Sequence, residues 1–232
     1  MTAGPGGPGP GSGHPVSPRV VRVAVGRPRE VPGPRPGTTT STASWKSPVD
    51  GPVRLVGDNL DGDAQADRRA HGGPHKAVYA YGVSDLDWWA AELARDPERP
   101  ELDPQVFGQN LTVEGADLRE AVVGERWRIG DAVLEVAQPR IPCFKLGLRA
   151  GDPTMPRRFL EAERPGVYLR IVTAGSLAAG DAVEVTDRPA HGVRVVDAFT
   201  IFRRAHGDAA RLLDAPQLPP RWLEWAREHS TS

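Results

Sequence analysis

The chain has 232 residues, enough to bury a sizeable core without disulfide or metal staples. Its formal charge of −1, with 25% charged residues, argues against a protein built as a whole to bind a polyanion, so electrostatic specialisation has to be local. One cysteine excludes an intramolecular disulfide and an iron–sulfur cluster made by this chain alone. No run reaches the roughly 18 apolar residues that a membrane helix needs.

Residues 1–18, MTAGPGGPGPGSGHPVSP, offer few side chains to offset the entropy of ordering and read as a disordered tail. The formal GxGxxG at Gly4, Gly6 and Gly9 fails as a dinucleotide fingerprint, because no strand precedes it and no helix follows. The start also lacks the n-region and h-region of a secretory signal, which with the lone thiol leads to an expectation of a soluble cytoplasmic protein with no membrane partner.

From Arg19 the texture is β-rich: RVVRVAV, PVRLVG, KAVYAY, NLTVEG, ERWRI, AVLEVA, VYLRIVTAG and DAVEVTD, separated by Gly, Asp and Pro. RIGDAVLEV reads as two strands turning at Gly130 and Asp131. Many short strands with such punctuation suggest a closed or nearly closed barrel over residues 19–188. Among them, Ser84 three residues before Asp87 resembles a capping box, and LDWWAAELAR continues as an amphipathic helix with Trp88 and Trp89 as packing residues. Residues 189–232 change again, to two or three short helices broken at Gly207 and Pro216. Pro219 and Pro220 would open the last helix, and Trp222 and Trp225 would share a docking face. The fold class is therefore mainly β with α: a distorted barrel carrying a small C-terminal helical appendage. Cations in that appendage alternate with Asp and Glu, so no basic face for a nucleic-acid polymer stands out.

Chemistry concentrates around Cys143. Between Arg140 and Arg170 lie seven cations, Arg140, Lys145, Arg149, Arg157, Arg158, Arg164 and Arg170, against Asp152, Glu161 and Glu163. Nearby cations favour thiolate, which is both a nucleophile and a soft metal ligand, and they also suit phosphate. A lone cysteine is more often a small buried apolar residue and basic runs are commonly just solvated, so composition alone does not settle its role. Residues 62–82 add Asp63, Asp67, His71, His75 and Lys76 around GGP. The histidine spacing is not that of a zincin, since GGP cannot hold both rings on one helix, and DGDAQAD lacks the calcium-loop positions. VFGQNLTVEG contributes Asn110 at the start of a strand.

Taken in order, VGRPREVPG, WKSPVDGPV, LDGDAQADRRAHGGPHKAVYAY, FGQNLT, GDAVLEVAQPRIPC and PGVYLRIVTAGSLAAGD resemble the MOSC family, the domain shared with the C-terminal part of molybdenum-cofactor sulfurases. The likeness is to its small bacterial branch associated with resistance to 6-N-hydroxylaminopurine, and it runs over residues 19–228. It implies a molybdenum cofactor (molybdopterin), with Cys143 as catalytic residue and metal ligand. Arg140, Lys145, His71, Lys76 and Asn110 are the implied cofactor-binding candidates. The implied activity is reduction of N-hydroxylated bases or related small molecules, with electrons from another protein, because no flavin or nicotinamide motif is present. Two alternatives stay open: Cys143 as a persulfide carrier loaded by a cysteine desulfurase, and a non-catalytic cofactor-binding module. No pyridoxal-phosphate domain is recognisable. Gln109 stands where the family usually has Glu, and Ser44 where it usually has a branched apolar residue.

Overall fold

The computed structural model describes residues 17–67, 72–96 and 101–230. Most of the tail expected to be disordered, and His71, lie outside the described residues.

β1 (Arg19–Val25) is followed by a hairpin of β2 (Arg29–Pro32) and β3 (Thr39–Thr42), and by β4 (Ser47–Pro48), which returns antiparallel to the end of β1. β5 (Val53–Val56) and β6 (Asn59–Leu60) form a second small hairpin. A 3-10 turn at Pro74–Lys76 leads into β7 (Val78–Gly82), α1 (Val83–Leu93) and β8 (Leu111–Glu114). β7 and β8 pair in parallel, and α1 lies in the crossover that a parallel pair requires. β9 (Arg126–Ile129) and β10 (Ala132–Pro139) form the expected hairpin: Ile129 pairs with Ala132, and Gly130 takes the positive φ of 57° that the two-residue turn demands. After α2 (Phe144–Ala150) and α3 (Met155–Ala162) come β11 (Val167–Thr173), β12 (Ser176–Leu177) and β13 (Glu184–Asp187). The chain then becomes helical in α4 (Val195–Arg203), a 3-10 stretch at His206–Asp214, and α5 (Pro220–His229).

Eight strands make one curled sheet in the order β13-β9-β10-β11-β7-β8-β1-β4, while β12 adds to the β5–β6 hairpin. The segment leading into β13 also meets β1: Arg19 bridges Ala182, Val20 N–H donates to the Asp181 carbonyl at 2.9 Å, and Gly180 N–H donates to the Val20 carbonyl at 2.7 Å. The sheet thus bends into the distorted barrel of an α+β protein.

Strand alternation fills the interior. In β9, Trp127 and Ile129 point inward while Arg126 and Arg128 stay in water. Val23, Leu55, Leu111, Leu134, Val136 and Leu169 complete that core. β10 is buried along nearly its whole length, because α4 packs against it from outside the barrel. Tyr81, Trp89, Phe107, Leu146 and Phe159 form a second, aromatic cluster under α1, α2 and α3. Ala198, Ile201, Leu212, Trp222 and Ala226 form a third, within the C-terminal helices.

Two local expectations are corrected. Ser84 does not cap α1, because the helix begins one residue earlier with extended Gly82 as its N-cap, placing Ser84 inside the first turn without a capping bond. Gly207 does not break the C-terminal helices; it lies within the 3-10 stretch, and α4 ends at Arg203. Trp222 and Trp225 do share a face, both meeting Phe202 with centroids 4.7 and 4.9 Å away.

Candidate functional site

A cleft opens where the β3–β4 connection, the loop after β6, the start of β8 and the end of β10 converge. Its lining includes Lys46, Asp63, Lys76, Asn110, Arg140, Cys143, Lys145 and Tyr168. The chain has only three lysines among its 29 Lys and Arg residues, at positions 46, 76 and 145, and all three line this cleft. Together with Arg140 they set four cations against the carboxylates of Asp63 and Asp67.

Cys143 is the N-cap residue of α2, with extended backbone (φ −132°, ψ 176°) and no side-chain capping bond. It is half-buried and free. Pro142 fixes its own φ and disfavours helix at Ile141, so the chain stays non-helical between β10 and α2 and the thiol sits at the corner where one gives way to the other. On its other side it borders an apolar groove lined by Pro34, Pro142, Phe144, Leu148 and Pro153.

Arg140, three residues before the thiol, is 9% exposed. Its guanidinium donates to the Phe107 carbonyl and lies over the Tyr79 ring (5.0 Å) and the Phe159 ring (5.7 Å). It therefore ties the cleft floor to the aromatic cluster as well as supplying charge. Lys145, in the first turn of α2, donates from Nζ to the Ser41 carbonyl at 2.8 Å and joins α2 to β3. Lys76 ends the Pro74–Lys76 turn, 6.0 Å from the Tyr168 ring centroid. Burial, reinforced by the charge of Arg221, lowers its pKa to about 8, against the opposing pull of Cys143 and Asp67.

Asn110 lines the cleft, but its amide is occupied internally. Oδ1 accepts from Tyr79 N–H at 3.0 Å, and Nδ2 donates to the Ala24 carbonyl at 3.1 Å and to Asp63 Oδ2 at 2.9 Å. It ties β7, β8 and β1 together and aims Asp63. Gln109 turns away: Nε2 donates to the Pro104 carbonyl at 2.6 Å, and the residue is absent from the cleft lining.

Lys46 joins the cleft without having been marked in the sequence, through Asp63 of the polar 62–82 segment. Asp63 Oδ1 accepts from Lys46 Nζ and from Gly26 N–H (2.8 Å). Burial pushes the Lys46 ammonium below its ordinary range, opposed by Asp63 and assisted by Arg140. The scarcity of lysine in an arginine-rich chain is the sequence signal that could have found Lys46. Gly108, with φ of 63°, brings the backbone against Ser44; a Cβ there would lie 2.9 Å from the Ser44 carbonyl oxygen. Gln65 fastens the loop from the other side, accepting from Gly73 N–H at 2.7 Å and donating to the Gly73 and Lys76 carbonyls at 3.3 Å.

Among the described residues, no three His, Cys, Asp or Glu side chains converge as a metal-binding group. A metal here would have one protein thiolate, so its remaining ligands would come from an organic chelate. A cationic cleft beside a single half-buried thiol fits an anionic chelate of that kind.

A curled barrel with a lone cysteine at a basic cleft, just past the end of its longest strand, defines the class, and the chain belongs to the MOSC domain family: the family model matches residues 67–184. The chain is 34% identical over 159 residues to the protein YflK of Bacillus subtilis, covering 68% of this chain and 70% of that one. It is 31% identical over 200 residues to a Gibberella moniliformis protein named a reductase, covering 84% of this chain but 35% of that longer protein. The crystal structure of YiiM from Geobacillus stearothermophilus matches with a TM-score of 0.73 at 22% identity, covering 91% of this chain and 98% of that one. No helix among the described residues is long and apolar enough to cross a membrane.

Proposed function

We propose that the protein binds a molybdenum cofactor in the lysine-lined cleft, with Cys143 as metal ligand, and reduces N-hydroxylated bases or related small molecules. The observation that carries this reading is the convergence of the only thiol and all three lysines on one cleft. The fungal relative's name, a reductase, agrees with it. A bound cofactor would supply two-electron reduction, by which an N-hydroxyl compound, two electrons and two protons would give the amine and water.

The chain's own groups have separable tasks. Lys76 and Lys145 present ammonium charge to an anionic cofactor. Arg140 adds charge while its guanidinium braces the floor through Phe107. Asn110 and Lys46 hold Asp63, so the acidic side of the cleft keeps a fixed position. The neutral fraction that Lys76 reaches near pH 8 lets it accept or return a proton at Nζ. Electrons come from a separate donor protein.

Protein from a host that makes the cofactor is expected to carry molybdenum and an oxidisable pterin, with molybdenum lost in Cys143→Ala. Metal-free wild-type protein that stays inactive after reconstitution overturns the reading. The half-buried Cys143, which also borders the groove on its far side, favours a second reading in which it carries persulfide sulfur from a cysteine desulfurase. Intact mass after incubation with a desulfurase and cysteine separates the two, since one added sulfur on wild type and none on Cys143→Ala belongs to the second alone.

A further inference from the structure

The C-terminal helices have no part in the function proposed above, yet α5 reaches the cleft through a short chain of buried polar groups. Trp222 Nε1–H donates to Gln138 Oε1 at 2.8 Å, and Gln138 Nε2 donates to the His75 carbonyl at 3.1 Å. Trp222 is 1% exposed and Gln138 2%. His75 belongs to the Pro74–Lys76 turn, whose last residue lines the cleft. Gln138 itself lies on β10, two residues before Arg140.

The chemistry of this bridge is restrictive. An indole N–H only donates and a peptide carbonyl only accepts, so the side chain between them must offer one acceptor and one donor. A primary amide does this in a single orientation, whereas a thioether or an ionised carboxylate cannot serve both ends. We propose that Trp222 and Gln138 are positioning residues that hold the Pro74–Lys76 turn, and with it Lys76, in place, making α5 part of the site. In its role for the cofactor this rests on the function proposed above; as a statement about the turn it stands alone.

Two further observations agree. Gln65 already fixes the opposite side of the same turn through Gly73 and Lys76, so Gln138 completes a two-sided clamp. The residue before Trp222, the exposed Arg221, is close enough to help lower the Lys76 pKa to about 8. One helical turn thus sets both where Lys76 sits and part of the field it feels. The competing explanation is that the bonds merely satisfy polar atoms where a helix docks on the barrel. It predicts a different response: substitution at Trp222 would loosen the C-terminal helices and leave the turn untouched.

The test is amide hydrogen exchange on the full chain, read at Gly73 and Lys76, whose N–H groups bond to Gln65 and to the Gly73 carbonyl respectively. Trp222→Phe, which keeps a ring but removes the donor, is expected to speed exchange at both amides about tenfold, the scale of one net hydrogen bond. Gln138→Met should do at least as much. The double variant should exceed Gln138→Met by nothing at these amides, because Trp222 acts through Gln138. Wild-type rates at Gly73 and Lys76 in a folded Trp222→Phe overturn the proposal, whatever happens in the C-terminal helices. If Trp222→Phe does not fold, wild-type rates in Gln138→Met overturn it instead. Molybdenum content on the same samples separates the two claims. Faster exchange with metal-free wild-type protein removes the proposed function and leaves the positioning role. Metal-loaded wild type with unresponsive amides in the variants removes only the positioning role.

Discussion

Lys46 and Asp63 form an ion pair almost wholly out of solvent, with side-chain exposures of 8% and 4%. The carboxylate is also the acceptor for Gly26 N–H and Asn110 Nδ2, so one side chain satisfies three donors from three parts of the fold. Asp63→Ala leaves an ammonium and an amide buried without that partner. Removing one member of a buried pair costs about 3–5 kcal/mol. Urea denaturation of metal-free protein is expected to show a loss of that size; a change below about 1 kcal/mol would mean that the pair opens readily to water.

Lys76 provides the pH dependence. Its folded-state pKa of about 8 lies below the ordinary 10.5, so the unfolded chain binds the proton more tightly. The penalty for charging it is fully present below pH 8 and is relieved as pH rises toward 10.5, so this residue makes stability increase with pH over that interval. Acylation by an amine-directed reagent, located by peptide mass mapping, is expected to reach half its limiting rate at Lys76 near pH 8. A midpoint near 10.5 contradicts the buried setting.

Arg140 and Lys145 separate under mutation. Arg140→Ala removes a guanidinium held by the Phe107 carbonyl and two aromatic faces, and should lower stability by on the order of 3 kcal/mol. Lys145→Ala loses one bond to the Ser41 carbonyl and should change stability far less. In protein loaded with cofactor it should weaken retention tenfold to a hundredfold, on the order of one charge-assisted bond. Thermal melts set beside pterin fluorescence read both effects.

Gly108→Ala tests the close approach that places Ser44 and hence Lys46. A methyl group there meets the Ser44 carbonyl oxygen, and the φ of 63° disfavours any L side chain. The expected cost is about 1–3 kcal/mol in denaturation, accompanied by displaced amide signals for Ser44 to Lys46 in NMR spectra.

The β9–β10 hairpin was legible because Gly130–Asp131 is local chemistry, and the barrel class followed from the run of short strands. Cys143, Lys76 and Lys145 were marked by motif and charge, and the structure brings them to one cleft. Lys46 was not, since it reaches the cleft only through its pairing with Asp63, 17 residues away. The start of α1 was misread because Ser84 and Asp87 satisfy a capping pattern, whereas Gly82 leaves β7 already extended and becomes the cap itself. Asn110 was placed correctly at the strand start, but sequence could not reveal that tertiary partners occupy its amide.

The bridge between Arg19 and Ala182 bears on how the molecule is made. β1 closes the barrel against a segment more than 150 residues further along, and Ala24 and Gly26, in and just after β1, contact the Asn110–Asp63 network. Such distant pairings form late, because the intervening chain must first be brought to order. During synthesis β1 emerges long before its closing partner, so the nascent chain presents an unpaired edge for most of translation. The pocket that the proposed cofactor would occupy is consequently expected to be complete only after residues 180–182 have emerged and paired with β1, on a nearly finished barrel.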